Sequence, residues 1–222
     1  MSSSPPSSTS ELTPNANQKI IQYLNDALAM ENASEERIRT RLRETIVDDT
    51  RAQLQDHLDK TRNQKDRLKQ IITNHGGEPT DAKAELPSLK PNTIDLVRND
   101  DDMMTSSSTG LTADKKGSED LRHDPSVKSI MKETDNVRLA AERELLQTER
   151  DAIIENAEIV KYKILLEIAK RTGATDAVPV IDQNLKEEMQ IANWIIANTP
   201  NLLRRLWAQI EVSAGARSVP EV

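Results

Sequence analysis

Apolar residues recur at helical spacing along two long stretches of the chain, and this pattern predicts four helices. The stripe of the first helix consists of Ile20, Leu24, Ala27, Leu28, Ile38 and Leu42. Thr13-Pro14 predicts its start, because a capping residue followed by Pro at the first helical position is typical of helix beginnings. The β-branched residues 45–47 predict a turn, with Asp48-Asp49 capping a second helix that reaches about His75. Gly76-Gly77 then supply the stop.

The second half of the chain repeats this arrangement. Asp124-Pro125 predicts the start of a third helix, whose back half is densely apolar and which stops at Gly173. Val178-Pro179 begins a fourth helix, with a stripe through Ile181, Leu185, Ala192 and Ile195. Thr199-Pro200 is expected to end that helix and to cap a last short one, because Pro disrupts a helix interior. The pattern therefore predicts an all-α, four-helix bundle made of two helical hairpins, with a short C-terminal helix.

Residue composition separates the helical segments from a linker and two tails. Residues 77–124 are rich in Pro, Gly, Ser and Asp, which predicts a disordered linker. A connection of that length allows the third helix to start at the far end of the bundle, as a crossover topology requires. The expected division is a disordered Ser/Pro-rich tail (1–18), hairpin one (19–76), the linker (77–124), hairpin two (125–199) and a C-terminal helix with tail (200–222).

The composition also excludes several classes of function. Aromatic residues make up 2% of the chain, so the core must be built from aliphatic side chains, which suits packed helices better than a β-sandwich. The chain has no cysteine, which excludes disulfides and thiolate chemistry. This absence fits a reducing compartment, and we expect a cytoplasmic protein. No Ser/His/Asp grouping, phosphate loop or zinc spacing is present, so no catalytic residue is assigned.

The distribution of charged and apolar residues argues against nucleic-acid partners and against a membrane-spanning segment. The net charge is −7, and the 30 basic residues are scattered among acidic ones, which argues against a nucleic-acid partner. No apolar run reaches the roughly 20 residues that a transmembrane helix needs. The first 18 residues lack the basic and apolar segments of a signal peptide.

Glutamates interrupt the apolar stripes of three helices. Glu31 lies in line with the first stripe and Glu188 with the fourth, whereas Glu155 and Glu158 are three residues apart on the third helix. A carboxylate in a bundle core is costly unless it is paired or bound to metal. Di-iron and di-manganese sites in bundles use such inward glutamates, often with histidine, and His57 is the histidine that lies on an inward helical face.

Four segments carry a resemblance to a known family. Residues 20–31, 57–64, 155–162 and 185–188 resemble the YciE/YciF-type ferritin-like family, over roughly 18–76 and 140–198. The resemblance implies a bundle similar to those of ferritins and rubrerythrins. The family is associated with stress responses and metal binding, so the resemblance implies a metal site without defining a reaction.

The chain departs from the family pattern at the candidate site. Family members usually show His-Leu-Glu-Glu-Thr on the second helix, where this chain has Asp59 and Lys60. The family's Glu-His-x-Glu on the third helix is here Glu-Asn-Ala-Glu, over residues 155–158. If position 60 is a ligand in the family, a lysine there removes a donor and adds a positive charge that could neutralise the glutamates without metal.

Two hypotheses follow. In the first, the bundle binds iron or manganese, in stress protection, through Glu31, His57, Glu155, Glu158 and Glu188. In the second, it is a metal-free scaffold or interaction protein with a degenerate site, whose glutamates pair with Lys60 or Lys161. Ferroxidase activity is the less favoured interpretation, because such sites usually use more histidines. We also expect the Tyr162 hydroxyl to reach a carboxylate, and the chain to form a homodimer or a larger homo-oligomer.

Overall fold

The computed structural model describes residues 14–87 and 125–215, and all the regular structure within these ranges is helical. The four helices are α1 (Pro14–Glu44), α2 (Asp48–Asn74), α3 (Pro125–Thr172) and α4 (Ala177–Gly215). The all-α, four-helix architecture predicted from the sequence is confirmed. Residues 1–13, 88–124 and 216–222, which include most of the predicted tail and linker, lie outside the described residues.

The described residues form two compact units, one of residues 14–87 and 144–202 and the other of residues 125–143 and 203–215. The first unit contains the bundle. Its larger core cluster joins the first half of α1, the second half of α2, the end of α3 and the start of α4. Since α2 and α3 both finish at this end, the two helices run in the same direction. This direction agrees with the predicted crossover, whose residues 88–124 lie outside the described ones.

The helical period sets which residues face the core. All the residues of α2 that the sequence pattern placed on its inward face, polar as well as apolar, are buried. These positions are Leu54, His57, Leu58, Thr61, Gln64, Leu68, Ile71 and Ile72. Packing is uneven along the bundle, because the cluster at the α1–α2 turn contains only Ile38, Leu54 and Leu58, with Leu42 against it. The apolar core is therefore concentrated at one end.

Helix boundaries follow the expected turn chemistry, with one exception. Gly76 and Gly173 have φ of 77° and 81°, the left-handed conformation that glycine adopts most easily at the C-terminal end of a helix. The exception is the start of α2, where Val47 is the N-cap and makes no side-chain capping bond. Asp48 and Asp49 lie inside the first turn instead, where their negative charge favours the helix N-terminus.

The start of the crossover runs along α1, which corrects the prediction of disorder from residue 77. Asn25 accepts a hydrogen bond from the Thr80 backbone N–H (2.7 Å) and donates to the Glu78 carbonyl (3.1 Å). Asn32, seven residues later on the same face of α1, donates to the Thr80 and Ala82 carbonyls (3.2 and 2.9 Å). These side chains satisfy backbone groups of a non-helical segment and so fix it against the helix.

Two predicted boundaries differ from the structure. α1 begins at Pro14, so the last five residues of the predicted tail (14–18) are helical. α4 continues through Pro200 to Gly215, so the predicted separate C-terminal helix does not form. Pro200 removes one backbone hydrogen-bond donor from the helix. The helix nevertheless continues, and Leu202 beyond the proline is buried in the core. The Thr199 hydroxyl and Asn198 amide also donate to nearby carbonyls, those of Ile195 and Trp194 (2.8 and 2.9 Å).

Among the residues described, no helix combines the length and apolar character that crossing a membrane requires.

Candidate metal centre

Five potential metal ligands meet in the middle of the bundle. Each is at most 4% exposed, and they are Glu31 from α1, His57 from α2, Glu155 and Glu158 from α3, and Glu188 from α4. Each occupies an inward position of its helix, where the apolar stripe would otherwise continue. The structure thus brings together all five residues singled out in the sequence.

Four of these side chains form a tight group. One ligand atom from each of His57, Glu155, Glu158 and Glu188 lies within 4.8 Å of all the others. The Nε2 atom of His57 is 3.6 Å from Oε2 of Glu155. Atoms bound to one ion at about 2.1 Å lie roughly 3–4 Å apart, so this group has the dimensions of a metal site.

Five ligand atoms of the centre accept no hydrogen bond from an amide, hydroxyl or cationic side chain among the described residues, and the carboxyl groups of Glu155 and Glu158 lie within hydrogen-bonding reach of Glu188. The five atoms are Oε2 of Glu31, Glu155, Glu158 and Glu188, and Nε2 of His57. An unpaired polar atom in a protein interior is costly and usually indicates a missing ligand, ion or water. Carboxylate oxygens with a neutral imidazole are a donor set suited to iron or manganese. The residues present therefore fit such a metal.

The other carboxylate oxygens of three glutamates are held by neighbouring side chains. The Ser34 hydroxyl donates to Oε1 of Glu158, and the Gln64 amide donates to Oε1 of Glu188. The Tyr162 hydroxyl donates to Oε1 of Glu31 at 2.5 Å. Each of these glutamates thus has one oxygen fixed by a hydroxyl or amide and the other without such a donor, an arrangement that orients ligands in metal sites.

A hydrogen-bonded chain continues outward from Tyr162. The Asn184 amide donates to the Tyr162 hydroxyl at 3.0 Å, and Arg67 Nε donates to the Asn184 side-chain oxygen at 2.8 Å. The prediction that Tyr162 reaches a carboxylate is confirmed. Sequence reasoning missed Ser34 and Asn184, although Ser34 lies three residues after Glu31 and Asn184 four before Glu188. These spacings place both on inward faces and could have identified them.

Burial keeps the carboxyl groups protonated to unusually high pH. Burial raises the pKa of Glu31 to about 7, outweighing the hydrogen bond from Tyr162, which lowers it. The pKa values of Glu155, Glu158 and Glu188 are raised well above their usual range, by burial first and by neighbouring carboxylates second. Without a cation, the centre therefore retains protons near neutral pH.

His57 is neutral at physiological pH. Burial lowers its pKa to about 3, and the positive charge of Lys60 acts in the same direction. A neutral imidazole has a free nitrogen lone pair, which is the form that binds metal.

The two lysines considered as counter-ions lie outside the centre. Lys60 Nζ is 2.8 Å from Oδ2 of Asp56, and Lys161 Nζ is 3.6 Å from Oδ2 of Asp26. On α2 the inward residues near His57 are Thr61 and Gln64, and both are completely buried. Position 60 is rotated away from them, so the hypothesis that Lys60 or Lys161 neutralises the glutamates by direct pairing is wrong.

Comparisons with known proteins agree with this architecture. The sequence pattern of a family described as a domain of unknown function, DUF892, matches residues 15–90 and 114–207. A bacterioferritin from Desulfovibrio desulfuricans, described with a diiron site in different catalytic states, has a TM-score of 0.54 at 18% identity, covering 88% of each chain. A protein from Xanthomonas campestris pv. campestris has a TM-score of 0.53 at 14% identity, covering 89% of this chain and 99% of its own. The fold is ferritin-like.

The raised pKa of Glu31 predicts a pH-dependent stability for the metal-free protein. Glu31 ionises near pH 4.5 when unfolded but near pH 7 when folded, so the unfolded state binds fewer protons between these values. The free energy of unfolding should therefore fall as pH rises through this window. We expect Glu31→Gln, which cannot ionise, to show a shallower fall in urea denaturation at a series of pH values. Equal slopes for the two proteins would contradict the assignment.

Proposed function

Since this chain belongs to the DUF892 family, we propose that its ferritin-like bundle binds iron or manganese through the core carboxylates. The observation that carries this proposal is the buried group of His57, Glu155, Glu158 and Glu188, whose ligand atoms lie within 4.8 Å of one another. Four carboxylates carry a charge of about −4 when ionised, which two divalent cations would neutralise. The diiron site of the similar bacterioferritin supports the same interpretation.

Each residue has a defined role in this proposal. His57, Glu155, Glu158 and Glu188 supply the compact ligand set, and Glu31 extends it towards Tyr162. Bound iron or manganese would supply positive charge and the capacity for one-electron redox chemistry. Because the carboxyl groups are protonated when metal is absent, they must release protons as metal binds. Metal affinity should consequently increase with pH.

The proposed biological role, location and self-association rest on the fold and on the family resemblance. Metal sequestration in a stress response fits the ferritin-like fold and the family resemblance. We propose a cytoplasmic protein that self-associates, and exposed apolar side chains such as Val160 and Ile164, one turn apart on α3, support self-association. Ferroxidase turnover stays the less favoured alternative.

One observation favours a second candidate, a metal-free scaffold or interaction protein with a degenerate site. The inward positions of α2 next to His57 are Thr61 and Gln64, which add no carboxylate or imidazole to the centre. Helix α2 therefore supplies a single strong ligand. In this alternative the glutamates remain protonated, and the centre only positions the helices.

Metal titration separates the two candidates. We expect the purified apo protein to bind Mn²⁺, or Fe²⁺ under anaerobic conditions, stoichiometrically in isothermal titration calorimetry. Glu158→Gln should weaken binding by about 100-fold or more, because it replaces a charged ligand at the centre. Glu167→Gln on the same helix is the matched control, since Glu167 pairs with Arg171 on an exposed face. Absence of uptake by the wild type, or equal affinities for the two variants, would refute the metal-binding proposal.

Lys60 provides an independent test. Because its ammonium group pairs outward with Asp56, we expect Lys60→Glu to change metal affinity by less than about fivefold, the range of a surface charge effect. A degenerate site inhibited by Lys60 predicts the opposite, namely that the variant gains an uptake the wild type lacks. The same calorimetric titration distinguishes these outcomes.

A further inference from the structure

Asn184 of α4 lies between the centre and the edge of the bundle, with a hydrogen bond on either side. Its amide nitrogen donates to the Tyr162 hydroxyl oxygen at 3.0 Å, and its side-chain oxygen accepts from Nε of Arg67 at 2.8 Å. Tyr162 in turn donates to Oε1 of Glu31 at 2.5 Å. These hydrogen bonds connect a partly exposed arginine of α2 to a proposed metal ligand.

The two middle side chains of this chain are buried, so bulk water does not reach their polar atoms. Asn184 is 0% exposed and Tyr162 is 1% exposed. The tyrosine hydroxyl carries a single proton, which can point either to Glu31 or to Asn184. Its direction therefore depends on which end of the Asn184 amide faces the hydroxyl.

Arg67 determines the orientation of that amide. A guanidinium group has donors and no acceptor, so the group that faces it must be the amide oxygen. Nη2 of Arg67 also donates to Glu187, which lies one turn from Asn184 on α4, and this second bond fixes the plane of the guanidinium. If the amide were reversed, its NH2 group would face Arg67, donor against donor, and the hydrogen bond would be lost.

The orientation of the amide affects Glu31. Because the amide nitrogen faces Tyr162, the hydroxyl oxygen accepts from Asn184 and the hydroxyl proton is directed to Oε1 of Glu31. This oxygen is thereby held as an acceptor. The second oxygen, Oε2, has no hydrogen-bond partner among the described residues and stays available.

We propose that Arg67 is a positioning residue of the centre, which acts through Asn184 to direct the Tyr162 proton to Glu31 and to leave the second oxygen of Glu31 for a metal ion. The direction of the hydrogen bonds is a property of the metal-free protein. Its effect on metal affinity rests on the function proposed above.

Asn184→Asp tests the direction of the hydrogen bonds. The new carboxylate has the shape of the amide and still pairs with Arg67, but it has no N–H and must accept from Tyr162. The tyrosine then donates a hydrogen bond without accepting one. In NMR of the metal-free protein with ¹³C-labelled tyrosine, the Cζ signal of Tyr162 should consequently move downfield, whereas that of Tyr23 should stay unchanged.

Arg67→Met tests whether the arginine sets this direction. Without the guanidinium the Asn184 amide can reverse, so the Cζ signal of Tyr162 should move in the same direction as in Asn184→Asp. In calorimetric titration, Mn²⁺ binding should weaken by about tenfold, an effect typical of losing a side chain that orients a metal ligand. Arg67→Met also serves if Asn184→Asp does not fold, because the Arg67 side chain is 22% exposed.

Lys65→Met is the matched control for the loss of positive charge. Burial raises the pKa of Glu31, and the charges of Lys65 and Arg67 both oppose this rise. Lys65 lies on the same helix but pairs with Glu35 instead of the hydrogen-bonded chain. Lys65→Met should therefore leave the Tyr162 signal in place, whereas an effect of charge alone would appear in both variants.

An unchanged Tyr162 signal in Arg67→Met, or equal shifts in Arg67→Met and Lys65→Met, would overturn the proposal. If the wild type binds manganese, an unchanged Mn²⁺ affinity in Arg67→Met would overturn it as well. The NMR measurement needs no metal. The expected shifts in a protein that takes up no manganese would support the orientation by Arg67 and refute only the proposed metal function.

Discussion

Four carboxyl groups are buried in the core of one helical bundle, and the surrounding side chains are arranged around them. Each glutamate occupies a position where an aliphatic side chain would have stabilised the fold, and each has an oxygen that accepts no hydrogen bond from an amide, hydroxyl or cationic side chain among the described residues. Burial raises their pKa values, so in the absence of a cation these carboxyl groups keep their protons to higher pH than ordinary glutamates do. The buried carboxyl groups therefore make the metal-free fold less stable, and such a cost is common at functional sites.

The surrounding structure holds this centre in place. Ser34, Gln64 and Tyr162 each fix one oxygen of a glutamate, and a denser core supports the helices on one side. On the other side a buried ion pair joins Arg41 of α1 to Glu144 of α3 at 3.0 Å, and the Thr45 hydroxyl donates to the same carboxylate. At the end of the bundle next to the α1–α2 turn, these buried polar contacts between helices add to the aliphatic packing.

The helical period predicted most of this architecture, because burial on α2 follows it residue by residue through Leu54, Thr61, Gln64 and Leu68. The same period places Lys60 on the outer face, where it pairs with Asp56, whereas the family motif alone indicated a position beside the glutamates. Other features depend on tertiary contacts that periodicity does not encode. The side-chain amides of Asn25 and Asn32 hold the segment after α2 against α1. Helix α4 continues through Pro200, and Leu202 beyond the proline is buried.

Anomalous X-ray diffraction can show whether the glutamates and His57 bind metal within the bundle. Crystals grown with Mn²⁺ and measured at wavelengths around the manganese absorption edge would locate the ion without reference to activity. We expect an anomalous peak among His57, Glu155, Glu158 and Glu188, the four residues whose ligand atoms lie within 4.8 Å of one another. A core without such a peak, in crystals that bind manganese only at surface carboxylates, would contradict this expectation.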